Sequence, residues 1–66
     1  METQACIQCL EAAQRCLIAG QRDIGVAYFL AAEVSLHRVA DPLQYLALTL
    51  RADVLVRRHL LPAWNV

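Results

Sequence analysis

The chain has 66 residues, 59% of them hydrophobic, and its six basic and six acidic residues cancel. That length allows one domain, and a domain of this size buries only about 60% of the surface its unfolded chain exposes. Zero net charge removes the long-range field that draws proteins to nucleic acids or acidic membranes. No apolar run approaches the ~20 residues needed to span a bilayer.

The hydrophobic content lies above the ~45–50% of ordinary domains, although a small domain has proportionally more surface to cover. The excess implies an apolar face left over for self-association or for a partner. The N-terminal stretch METQACIQCLEAAQR lacks the basic start and apolar core of a signal peptide, so the expected location is the cytoplasm. All six basic residues are Arg, the side chain better suited to bidentate and stacked contacts at interfaces. The three cysteines, Cys6, Cys9 and Cys16, lie in the first quarter, and their odd number argues against a disulfide framework.

A first helix is expected over about 4–19. Gln4, Gln8, Glu11 and Arg15 recur at helical spacing and make one narrow polar stripe, with Thr3 placed to cap the start. Ala5, Cys9, Ala12, Cys16 and Ala19 share another face, and all are small enough to let a second helix approach closely. Beside them Cys6, Leu10, Ala13 and Leu17 form a bulkier edge. Gly20 supplies a left-handed stop, and Asp23 is placed to cap the next helix. So short a link makes the two helices antiparallel neighbours.

The second helix, about 24–39, opens with IGVAYFLAA, in which no side chain is charged and only the Tyr28 hydroxyl can hydrogen-bond. It has two apolar faces. One holds Gly25, Phe29, Ala32, Leu36 and Val39; the other holds Val26, Ala27, Leu30, Ala31 and Val34. A helix apolar all round has to be covered on several sides. Gly25 costs about 1 kcal/mol relative to Ala inside a helix, and close approach to the small stripe of the first helix is its expected compensation.

Asp41 as N-cap, Pro42 at the first helical position and Gln44 three residues after the cap form a capping-box arrangement. The third helix, about 42–60, is again two-faced. Leu43, Leu46, Ala47, Leu50, Val54 and Leu61 make one side; Tyr45, Leu48, Ala52, Leu55 and Val56 make the other. Gln44, Arg51 and Arg58 form a polar stripe between them. Arg57, Arg58 and His59 near the end suit the helix dipole. Pro62 prevents continuation and leaves a tail over 61–66.

Gly20, Gly25, Phe29 and Ala32 resemble the small-residue and aromatic spacing of a tetratricopeptide repeat. Gly25 stands where that repeat has Ala, and the signature Trp, Leu and Gly of its first helix are missing. Three repeats would not fit in 66 residues. The resemblance implies a helical hairpin with similar packing rules.

No constellation of catalytic or metal-binding groups stands out. Cys6-x-x-Cys9 with Cys16 and His37 has the donor types of a zinc site, but paired zinc cysteines come from turns, and this pair lies within a helical pattern. Buried cysteine also behaves as a small hydrophobe. His37 and His59 fall in polar seams with no orienting partner or oxyanion site. No metal, cofactor or enzymatic activity is expected.

The expected fold is all-α, a short helical hairpin plus a third helix in a single domain over 1–66. Its leftover apolar surface implies a twofold homodimer. Val26, Leu30 and Val34 of the second helix, with Leu48 and Leu55 of the third, are the expected dimer contacts. Tyr45, Arg51, Arg58 and Trp64 are of residue types rich in binding hot spots and are the expected contacts to a protein partner.

In size and helical-dimer character the chain resembles short anti-activators and host-takeover proteins encoded by bacteriophages, including those that silence quorum-sensing regulators. That resemblance covers the whole chain loosely and rests on no diagnostic motif. It implies a host transcription factor or motor ATPase as target, with inhibition as the effect. The alternative is a dimeric DNA-binding regulator using the third helix, with Arg51, Arg57, Arg58 and His59 on phosphates. A neutral chain whose basic side chains are interrupted by Leu48, Leu55 and Val56 speaks against it.

Overall fold

The computed structural model describes residues 2–60. It contains three α-helices, α1 (Glu2–Ile18), α2 (Arg22–Leu36) and α3 (Pro42–Leu55), and the last continues as a π-helical turn over Val56–Leu60. No strand occurs among the described residues. The all-α hairpin with a third helix is therefore what the chain forms. The tail, including Leu61, Pro62 and Trp64, lies outside the described residues.

The end of α1 shows how the hairpin closes. Gly20 has φ +82°, the left-handed conformation that a residue without Cβ adopts at least cost. Its N–H donates to the Leu17 carbonyl at 3.2 Å, and the Gln21 N–H donates to the Cys16 carbonyl at 2.8 Å. Together these two bonds make a Schellman motif. Gln21 is at once the third residue past α1 and the N-cap residue of α2, so the chain restarts immediately. For that reason Asp23 does not cap. It sits inside the first turn of α2, where a carboxylate complements the helix dipole. Thr3 likewise lies within α1 and does not cap it.

The second helix ends three residues before its apolar pattern does. Beyond Leu36 the Arg38 and Val39 N–H groups donate to the Ser35 and Leu36 carbonyls at 3.0 Å each, a tightening that turns the chain towards α3 while Val39 stays buried. At the next start Asp41 is extended (φ −76°, ψ 118°), and its carboxylate accepts from the Leu43 N–H at 2.9 Å, with Pro42 at the first helical position. Asp41 therefore caps α3, but through the Leu43 N–H and not the Gln44 N–H that a capping box uses.

The core lies between one row on each hairpin helix and one on α3. Cys6, Leu10 and Ala13 meet Phe29, Ala32 and Leu36, and Leu48, Ala52 and Leu55 close over both. The row that α1 contributes is the bulkier edge. Its small stripe, Ala5, Cys9, Ala12 and Cys16, is only half-buried alongside. Gly25 accordingly approaches the bulkier edge: a Cβ there would come within 2.8 Å of the Leu17 Cγ and Cδ2 atoms and 3.3 Å of its backbone nitrogen. The missing Cβ makes room for a leucine.

α1 and α2 pack along their length, whereas α3 meets each of them over a short stretch. The π turn that follows, with its i→i+5 bonding, carries Leu60, which is 3% exposed.

Gly25→Val is expected to destabilise the fold by about 1–3 kcal/mol, the usual cost of overpacking a filled core. Urea denaturation measures it, and an unchanged midpoint would mean that Leu17 does not occupy that space.

Candidate interaction surface

Packing one row of each helix inward leaves the opposite rows of α2 and α3 in solvent. On α2 the uncovered side chains are Ile24 (50% exposed), Tyr28 (42%), Leu30 (57%) and Val34 (58%), with the exposed Ala27 and Ala31 between them. On α3 they are Leu43, Leu46, Leu50 and Val54, with Ala47. Single exposed apolar residues are ordinary, but contiguous rows of them mark interaction sites.

A groove with polar side chains at its edge lies between α2 and α3. Glu33 of α2 and Thr49 and Asp53 of α3 line it above Phe29, Ala52 and Val56. At 100° per residue Glu33 falls between Phe29 and Leu30 around α2, and Asp53 falls between Thr49 and Leu46 around α3. A single occupant crossing from one apolar row to the other would have to cover Glu33 and the Asp53–Arg57 ion pair, and burying a charge is costly unless it is paired. The molecule thus presents two separate apolar faces.

The residues expected at a dimer interface divide accordingly. Leu30 and Val34 are exposed, and Val26 is half-buried. Leu48 and Leu55 are not available: they are 3% and 6% exposed and belong to the intrachain core. Both faces of α3 are apolar, so periodicity could not say which one turns inward. The face with Ala52 at its centre does so. Cys6, Leu10, Ala32, Leu36, Leu48 and Ala52 meet there with no room for a water, a fit that the alanines on both sides permit. The leucines that remain uncovered are those of the other face.

Of the expected partner contacts, Tyr45 is 40% exposed and Arg51 and Arg58 are exposed. Arg51 stands at the edge of a second groove between α1 and α3, lined also by Leu10, Gln14, Val54 and Leu55. Arg57 is held by Asp53 at 3.0 Å, one helical turn away. The basic end of the third helix therefore carries less free charge than its sequence suggests. Trp64 lies outside the described residues.

The cysteines are free thiols. Cys6, 1% exposed, donates to the Ala32 carbonyl at 3.4 Å and so ties α1 to α2. Burial pushes its thiol above the ordinary value of 9.0; Cys9 adds to the rise and Arg51 opposes it. A thiol held protonated in this way is a packing group and a poor nucleophile. Among the described residues no three His, Cys, Asp or Glu side chains converge to hold a metal ion. No helix among them is long and apolar enough to cross a membrane.

No family model matches the chain, and no curated protein or solved structure matches it either.

Because the folded thiol of Cys6 releases its proton at a higher pH than the unfolded one, its contribution to stability is complete below pH 9.0 and is lost as pH rises through the folded value. Compared with Cys6→Ala, the unmodified chain is expected to lose stability more steeply above that pH in urea titrations. A maleimide should also label Cys9 and Cys16 in the folded protein before Cys6. Equal labelling of all three would contradict the burial of Cys6.

Proposed function

We propose that the protein is a small non-enzymatic interaction module that forms a homodimer and binds a partner protein, altering that partner's activity. The observation that supports this reading is the pair of uncovered apolar rows on α2 and α3, kept apart by the groove of Glu33, Thr49 and Asp53. Two separate faces suit two occupants. On α2 a furrow at Ala27 and Ala31 runs between the ridges Ile24–Tyr28 and Leu30–Val34, a shape that accepts an apolar ridge from another helix. Tyr45, with its ring half in solvent, and the exposed guanidinium groups of Arg51 and Arg58 are polar contacts at the margin.

Inhibition of a transcriptional regulator or ATPase in the cytoplasm is the form of this activity that the resemblance to phage anti-activators implies. Binding to the partner through apolar contacts should be nearly indifferent to salt. A regulator held to DNA by Arg51 and Arg58 would lose affinity steeply between low and moderate salt, by about one power of salt concentration for each phosphate neutralised.

The tagged full-length chain should capture a stoichiometric protein from its host's lysate and keep it as salt is raised. Leu30→Arg and Val34→Arg should abolish capture while leaving the far-ultraviolet circular dichroism unchanged. Retention of random duplex DNA, released by moderate salt, with no protein captured, would replace this reading by the DNA-binding one.

A further inference from the structure

The outer row of α3 is the most exposed aliphatic surface of the fold: Leu43, Leu46, Leu50 and Val54 are 78%, 57%, 59% and 47% exposed. Within it Leu43, Ala47, Leu50 and Val54 follow one another at four, three and four residues, the spacing at which side chains of two helices interlock as knobs and holes. A matching seam has to come from a helix with the same uncovered repeat. In this molecule that helix is α3 itself. The solvent side of α1 is polar, with Gln4, Gln8, Glu11 and Arg15 exposed, and the middle of the outer side of α2 is alanine.

Area points the same way. Four aliphatic side chains at these exposures make a patch of roughly 400–500 Å², as large as the largest patch on a typical monomer. Closing it on its own copy removes about 800–1,000 Å² in total, at the lower edge of what a specific interface buries. Since α3 turns Leu48, Ala52 and Leu55 to the hairpin, the outer row points away from it among the described residues.

We infer that two copies associate through this row, α3 against α3, with the two hairpins on the outside. The inference rests on the homodimer reading above and moves that dimer from Leu30 and Val34 to Leu43, Leu46, Leu50 and Val54. The outer face of α2 then stays open for the partner protein.

Sedimentation of the full chain across a concentration series is the test. The expected mass is twice 7.4 kDa. Leu50→Arg and Leu43→Arg should each give the monomer mass with unchanged circular dichroism, and Leu30→Arg should leave the dimer intact. Leu43 is the most exposed of the row, so its variant decides if Leu50→Arg fails to fold. A dimer that survives Leu43→Arg and is lost with Leu30→Arg overturns the placement and leaves the homodimer reading standing. A monomer at every concentration overturns both, while capture of a partner by that monomer would still uphold the interaction module.

Discussion

The contact between α1 and α2 is the constraint on which the rest depends. Cys6, Leu10 and Ala13 face Phe29, Ala32 and Leu36, and Gly25 admits Leu17 at a distance that no other residue would allow. Alanines and a glycine in the seam bring the two backbones near enough for the Cys6 thiol to reach the Ala32 carbonyl. Once the helices lie this close, little room remains between them for anything from α3. The third helix has to lie over the groove, touching each partner through a few side chains. Its attachment depends on Leu48, Ala52 and Leu55.

Punctuation was the most legible part of the fold. Gly20 and the Asp41–Pro42 pair each act within a few residues, so local chemistry is enough to place them, and both do what their identities imply. Asp23 misled because Gln21 can serve both helices at once, a saving that depends on the Schellman geometry before it. The inward face of α2 was also legible, since Gly25, Phe29, Ala32 and Leu36 combine a glycine, an aromatic residue and an apolar stripe that only a close neighbour explains. The π turn was not. Nothing in the sequence of Val56–Leu60 distinguishes it from one more turn of α-helix.

The candidate site was harder to read for a reason of the same kind. Amphipathicity orients a helix only when one of its sides is polar. α3 offers leucines on both sides, with Gln44, Arg51 and Asp53 spread thinly between, so composition alone assigns neither side to the core. Volume decides. A row with Ala52 at its centre can settle against Ala32, whereas a row of Leu43, Leu46 and Leu50 would hold the helix away from the hairpin. Leu48 and Leu55 therefore go inside and the other leucines stay out, the reverse of the expectation that placed Leu48 and Leu55 at a dimer interface. On α1 volume acts in the opposite sense: the small stripe flanks the seam, and the bulkier Cys6–Leu10–Ala13 row fills it.

A two-faced α3 also ties association to folding. An isolated helix of this length is marginal in water, and one face of α3 is all that the hairpin covers. Any occupant of the outer face that binds the folded chain and not the unfolded one stabilises it by mass action, more so as concentration rises. The neutral charge balance sharpens the point, because nothing in the chain's overall charge repels a second copy. Surface that is surplus to the monomer is in this sense part of the structure: without a cover for Leu43, Leu46 and Leu50, the third helix has the fewest reasons of the three to remain a helix.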